Sequence, residues 1–402
     1  MRQLTIEELA SSLGLPPFPD KYKEFFGEVM QDFDRNGCIY TKPEYYEKLH
    51  QKYGVLQTYL DLYKKAATEI GKDENLSRFL ALLCRALRDP IFRNGSCGPL
   101  VLPQKEYNFS YEMLPALAAA SEVELSYKLL KNRHLPEDIL QDTLRLPENG
   151  ISSFSLRHNN RPGYAFLDWF QLAIDGKLFQ LGRLQYEIYC EFEGKAYIFR
   201  NKSGEEIALA HNLALHKSGI ALGSKHFEDD TDSWVANVQE TSTSWEGYPV
   251  NERGFVQNKV VSLPKNEWEL ILSPGDPVIS IHIPATGSLN PELVDESLEK
   301  AVIFFRQYYP DYKYKAFVCY SWLMDPQLVD LLGPEKTISR FCNRFRKITQ
   351  KSSGNSIFKF VFMKPDMNFL FSELPENTSL ERAIKNHYEN GKAIYGGVGY
   401  FF

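Results

Sequence analysis

The chain has 402 residues, of which 43% are hydrophobic and 24% charged, with a net charge of −6. That length exceeds what one hydrophobic core usually serves, so two domains are expected. A mildly acidic protein gains no general attraction to a phosphate backbone, which argues against a nucleic-acid partner.

The first half is helical in pattern. TIEELASSLG (5–14) opens with Thr5 and Glu8 at capping-box spacing and stops at Gly14, ahead of Pro16 and Pro17. Apolar residues then recur at three- and four-residue spacing through 43–54, 56–71, 75–89, 110–133 and 136–146. From about residue 150 the period changes, and alternating or continuous β-branched and aromatic runs predict strands at 151–158, 177–192, 195–201 and 205–215, with a helix at 162–175. Polar residues 222–262 predict long loops with short strands, and further strands are expected at 268–272, 277–283, 314–320 and 357–364. The most basic stretch, RFCNRFRKITQK (340–351), reads as the solvated face of an amphipathic helix. The expected fold class is α+β: an all-helical N-terminal domain, 1–147, followed by a domain, 148–402, that the strand and helix pattern reads as α/β or α+β and that the family resemblance described below makes a mixed-sheet α/β domain.

Cysteines at 38, 84, 97, 190, 319 and 342 form no CxxC and no pair at metal spacing, which suits reduced, mostly buried thiols in a cytoplasmic protein. The N-terminus lacks an apolar signal core and no apolar run approaches a membrane span, so no membrane partner is expected.

The most informative stretch is VISIHIPATGSLNPEL (278–293). VISIHI reads as a strand covered on both faces, and Pro284 ends its ladder. Ala285, Thr286, Gly287 and Ser288 are small enough for a ligand to approach the backbone, and Asn290 and Pro291 are the N-cap and first residue of a helix. YKAFVCY then completes a β-α-β crossover, whose loop and helix N-terminus form a natural phosphate site. Most such loops bind nothing, and this one has one glycine and no basic residue. His282, near the strand end, has the chemistry of a general base, although a hydrogen-bonded core histidine would occupy the same place. In YSWLMDPQL (320–328) a hydroxyl could protonate a leaving thiolate, and Asp325 reads as an N-cap. Arg183 and Gln185, two apart in FQLGRLQYEI, would share one strand face and could hold a substrate's polar groups, or simply face solvent.

Three patterns are set aside. DFDRNGCIYTKPE (32–44) follows an EF-hand loop until its twelfth position, which is Pro43, so calcium is rejected and no metal is expected. His211 and His216 would lie on opposite faces of a strand. TIEELASSLGLP resembles the start of a DNA-reading helix-turn-helix, but prolines occupy the start of the recognition helix. Trp234, Trp245 and Tyr248 could stack on sugar rings or anchor a loop as buried aromatics.

LGRLQYE (181–187), SIHIPATGSL (280–289) and AFVCYSWLMDPQL (316–328), with the helical first half, resemble a bacterial N-acyltransferase family that has a helical N-terminal domain and a GNAT-like C-terminal domain. The resemblance implies transfer of an acyl group from acyl-CoA (acetyl-CoA or longer) to the amine of a small-molecule acceptor, with no metal. It implies that strand 277–283 splays from strand 314–320, that pantetheine lies in the gap, and that the following loop holds the pyrophosphate. In that scheme His282 is the base and Tyr320 or Ser321 the acid. Ile283, Ala285, Thr286, Gly287 and Ser288 contact the cofactor, and Arg183, Gln185 and Trp322 the acceptor. The ATGSL loop departs from the family's basic, glycine-alternating pattern. The alternative is a non-catalytic GNAT-like protein that binds a small molecule or a carbohydrate.

Overall fold

Among the described residues up to 174, helical periodicity in the sequence becomes helical structure. The computed structural model describes residues 4–89, 106–164, 167–223, 232–285, 287–364 and 369–402. They fall into two units, Met1–Leu181 and Gly182–Phe402.

The first unit begins with α1 (Ile6–Ser12), α2 (Asp20–Asn36), α3 (Pro43–Tyr53), α4 (Leu60–Gly71) and α5 (Glu74–Leu87). After residues 90–105 follow α6 (Phe109–Ser121), α7 (Val123–Lys131), α8 (Glu137–Leu144), α9 (Leu146–Arg157), α10 (Leu167–Ile174) and the short strand β1 (Leu178–Leu181). The capping box at Thr5 and Glu8 forms, satisfying two backbone N–H groups reciprocally. On α4 the fully buried residues are Tyr63, Ala66, Ala67 and Ile70, the spacing of a single apolar stripe. Asp32, Asp34 and Asn36 belong to the last turns of α2, and Asn36 Nδ2 donates to Asp32 Oδ1 at 2.8 Å, so this stretch is helix and not a calcium loop. Two expectations are corrected. Residues 110–133 form two helices that break at Glu122. The strand expected at 151–158 is part of α9, because Ile151 and Phe154, three apart, are the buried pair that continues from Leu146.

The second unit opens with β2 (Leu184–Glu191), β3 (Ala196–Asn201), β4 (Glu206–Ala210) and β5 (Leu213–Leu215). Next come β6 (Trp234–Ala236), β7 (Gln239–Glu240), β8 (Ser244–Val250), β9 (Val261–Pro264) and β10 (Trp268–Leu272). The crossover is β11 (Pro277–His282), α11 (Pro291–Tyr308) and β12 (Ala316–Ser321). The chain closes with α12 (Leu328–Leu332), α13 (Thr337–Cys342), β13 (Arg346–Thr349), α14 (Asn355–Val361), α15 (Ser379–Glu389) and β14 (Gly397–Phe401).

Residues 177–192, expected as one strand, are split by a turn at Gly182 (φ +69°) and Arg183. Residues 357–364, expected as a strand, are mostly helix: Phe358 and Phe362, one turn apart, stack at 6.0 Å. So short an apolar run does not distinguish the two periods. The helix expected over 340–351 ends at Cys342, and Arg346–Thr349 pair with β14 as an edge strand.

The central sheet has the order β2-β11-β12-β14-β13; β11 and β12 are parallel and the other pairs antiparallel. A second antiparallel sheet runs β10-β3-β4-β8-β7. Its Ile198, Ala208 and Leu272 pack on Val278, Ala316, Val318, Val398 and Tyr400 of the first, so the two sheets enclose a core. The other face of the central sheet is covered by α11, where Phe305 meets Tyr186 at 6.1 Å and Phe317 at 6.2 Å. Cys38, Cys84, Cys190, Cys319 and Cys342 are free thiols; Cys97 lies outside the described residues. No described helix is long and apolar enough to cross a membrane.

On α15, His387 is buried and its Nε2 has no hydrogen-bond partner among the described residues. Burial lowers its pKa below the ordinary 6.5. The unfolded chain therefore binds the proton first, so this contribution to stability is complete above pH 6.5 and is lost as the pH falls through the lower folded value. Thermal unfolding followed from pH 7.5 to about 5 is expected to show a falling Tm, and His387→Phe is expected to flatten part of that fall.

Candidate active site

The parallel ladder between β11 and β12 covers Val278–Ala316, Ile279–Phe317 and Ser280–Val318, and there it stops. Both strands continue. Ile281 and His282 have partners only on β2, and Cys319, Tyr320 and Ser321 only on β14. The two central strands thus part at their C-terminal ends, the end where the crossover loop lies.

A bulge decides which side chains line this opening. Val278 pairs with Cys190 and Ser280 with Glu187, so Ile279 of β11 faces two residues of β2. Tyr189, in the bulge, has φ +63°, a left-handed conformation uncommon outside glycine. The extra residue rephases everything upstream of it. Gln185 and Glu187 now share a face with Ser280 and His282, while Tyr186 turns to α11. Glu187 Oε2 lies 3.0 Å from His282 Nε2, with side-chain exposures of 22% and 27%. A carboxylate there orients the ring and stabilises an imidazolium. Gln185 and Ser280 are buried beside them. Glu187 is the residue that sequence reasoning passed over; it stands in LGRLQYE, but only the bulge turns it towards His282.

Across the opening, Tyr320 follows Val318 by two and so shares the face of Ser280 and His282. Its hydroxyl accepts the Glu193 N–H at 2.8 Å and donates to the Glu191 carbonyl at 3.4 Å, and burial pushes its pKa up. Ser321 faces the opposite side of the sheet. Its Oγ accepts the Leu323 N–H at 3.2 Å, capping a short 3-10 turn that Trp322, half-buried, begins.

Ile283, Pro284, Ala285, Gly287 and Ser288 form the loop after β11; Thr286 lies outside the described residues. Gly287 has φ +87°, where a side chain would be strained. Asn290 Oδ1 accepts the N–H groups of Glu292 (2.9 Å) and Leu293 (3.3 Å), and Pro291 has none, so the first turn of α11 is occupied by its own cap. Positive charge comes from the Gly182–Arg183 turn instead. Arg183 reaches across and donates from Nε to Ser288 O at 2.8 Å, and from Nη2 to Pro284 O at 3.0 Å and Gly287 O at 2.9 Å. Burial lowers its pKa. Arg183 thus sits in a turn at the loop rather than beside Gln185 on a strand face.

Elsewhere, His211 Nδ1 accepts the Val238 N–H and His216 Nδ1 faces Ser218, so the two histidines serve separate turns. Among the described residues no group of three His, Cys, Asp or Glu is placed to hold a metal. Trp234 packs on Tyr248 at 4.8 Å and Trp245 on Phe199 at 4.9 Å, so these rings are engaged with other rings.

A family described as "GNAT-like C-terminal domain" matches residues 178–401. Among solved structures, the fold is similar to that of an acyltransferase in complex with decanoyl-CoA and teicoplanin, at 18% identity over 99% of each chain and a TM-score of 0.62. An acyltransferase mutant in complex with octanoyl-CoA aligns with 18% identity over 99% of each chain and a TM-score of 0.61. At that identity the likeness is one of fold. Among curated proteins none matches this sequence.

Proposed function

Since this chain belongs to the family of GNAT-like C-terminal domains, which match its residues 178–401, we propose that it is an acyl-CoA-dependent N-acyltransferase acting on a small-molecule amine. The observation that carries this reading is the end of the β11–β12 ladder at Ser280 and Val318, with His282 and Glu187 beside the opening it leaves. The pantetheine arm would enter that opening, bringing the thioester to the strand end and the phosphates to Ile283, Ala285, Gly287 and Ser288. The complexes of the similar folds with decanoyl-CoA and octanoyl-CoA support an acyl-CoA donor here.

The reaction needs little covalent chemistry from the protein. The acceptor nitrogen attacks the thioester carbonyl, a C–N bond forms, and the carbonyl oxygen becomes an oxyanion. Collapse breaks the C–S bond and releases the coenzyme A thiolate. The proton lost by nitrogen goes to the His282–Glu187 pair, whose carboxylate stabilises the charged ring, 3.0 Å away. Tyr320, on the same face, is the group to return a proton to the thiolate; Ser321, on the other face, is not. Gln185 and Trp322 would orient the acceptor, and Arg183 serves the loop. No metal enters this scheme.

Titration with acetyl-, octanoyl- and decanoyl-CoA, followed by thiol release in the presence of primary amines, tests the reading. Saturable acyl-CoA binding and amine-dependent thiol release are expected. No binding at about millimolar ligand would leave a shared fold without the activity.

A further inference from the structure

Building on the acyl-transfer reading, we propose that Tyr312 is a positioning residue for the His282–Glu187 pair: it locks the bulge in β2 that turns Glu187 towards the histidine.

The two parts of β2 follow different registers. Val278 pairs with Cys190, whereas beyond the bulge Ser280, Ile281 and His282 pair with Glu187, Tyr186 and Gln185. If the first register continued, Ser280 would lie opposite Ile188 and His282 opposite Tyr186. Glu187 would then point to the α11 face, and no carboxylate of β2 would stand beside the imidazole. The bulge is thus what supplies the histidine with its partner. A bulge also interrupts the ladder, so the carbonyls beside it need donors from elsewhere.

Tyr312, in the segment between α11 and β12, provides that donor. Its hydroxyl donates to the Val278 carbonyl at 2.6 Å and, as a shared bond, to the Cys190 carbonyl at 3.3 Å. The two carbonyls belong to the last pair before the register slips. The ring meets that of Tyr189, the left-handed residue of the bulge, edge to face at 4.9 Å. Tyr312 is itself held in place. Its N–H donates to the Tyr309 carbonyl at 3.1 Å, its carbonyl accepts the Tyr314 N–H at 2.9 Å, and Lys315 N–H donates to Pro277 O at 2.8 Å, where β11 starts. Burial pushes its pKa up to about 12, so the hydroxyl keeps the proton it donates. Val278 precedes His282 by four residues along the strand, so Tyr312 acts on the pair through β2 and not by contact.

The experiment measures kcat and KM for amine-dependent thiol release from decanoyl-CoA. In parallel, NMR follows the His282 ring resonances, assigned by His282→Ala. Tyr312→Phe keeps the ring and removes the donor. It is expected to lower kcat by about 3- to 10-fold while KM for decanoyl-CoA stays within about twofold. It should also move the His282 resonances in the direction that Glu187→Gln moves them. In the Glu187→Gln background the same substitution is expected to cost less than about twofold, because the carboxylate it positions is already gone. Tyr189 gives a second approach that leaves Tyr312 intact. Glycine accepts a left-handed backbone and valine resists it, so Tyr189→Val is expected to lose more kcat than Tyr189→Gly. Losses that multiply in the double variant overturn the proposal, as does an unchanged kcat in Tyr312→Phe or a glycine variant worse than the valine one. If Tyr312→Phe fails to fold, the two Tyr189 variants still decide. A wild type that releases no thiol defeats the acyl-transfer reading instead, and His282 resonances unmoved by Tyr312→Phe overturn this proposal separately.

Discussion

Replacing His282 with alanine is expected to lower kcat/KM for acyl transfer by about 10²- to 10⁴-fold at neutral pH, the usual contribution of a positioned base. The affinity for acyl-CoA is expected to stay within about twofold of the wild type, because the proposed scheme assigns the imidazole to the acceptor and not to the phosphates. Glu187→Gln keeps the shape of the partner but removes the charge that stabilises the protonated ring, so a smaller loss of about tenfold in kcat is expected. Added imidazole separates the two roles: it should restore part of the activity of His282→Ala and none of that of Glu187→Gln, where the ring is still present. A His282→Ala enzyme with unchanged kcat would remove the histidine from the mechanism and leave the pair a structural contact between β2 and β11, which their 3.0 Å separation would also explain.

That pair marks how far the sequence could be read. The β-α-β crossover was legible because each element has a local cause: a continuous apolar strand, a proline that stops it, an Asn-Pro start to a helix. The family resemblance pointed to the same unit, and the strands lie at Pro277–His282 and Ala316–Ser321, against the expected 277–283 and 314–320. His282 could be singled out because it interrupts an apolar run. Glu187 could not, because its direction depends on a bulge at Tyr189, a residue whose type gives no sign of a left-handed backbone. The role of Arg183 was hidden for a related reason. Two-residue spacing from Gln185 suggests a shared strand face, whereas Gly182 turns the chain and sends the arginine to a loop about a hundred residues away. The short apolar runs at 151–158 and 357–364 failed differently, since a run of that length fits either period until its packing partner is known.

Asp325 shows the same limit, and its removal is expected to have the largest effect on stability. The sequence suggests an N-cap, and Oδ1 does accept the Gln327 N–H at 2.9 Å. Yet Oδ2 also accepts the N–H groups of Tyr395 (2.8 Å) and Gly396 (3.2 Å), some seventy residues on, at the entry to β14. The carboxyl is fully buried, and burial raises its pKa above the ordinary 3.8 against the opposing pull of these donors. What matters structurally is therefore the set of acceptor oxygens more than the charge. Asp325→Ala strands those buried N–H groups together and is expected to cost about 3–5 kcal/mol, lowering Tm by roughly 10 °C. Asp325→Asn retains one acceptor oxygen and avoids burying a charge, so a smaller loss is expected; calorimetry on both variants checks the order, and an unchanged Tm for Asp325→Ala would contradict the argument. The consequence reaches the opening itself. β12 pairs with β14 at every position from Phe317 to Ser321 but leaves β11 after Val318, so its course along the gap is set from the β14 side. Asp325 ties the segment just past β12 to the segment just before β14. Loosening that tie should therefore weaken acyl-CoA binding at temperatures where the variant is still folded, although Asp325 lies outside every contact proposed for the ligand.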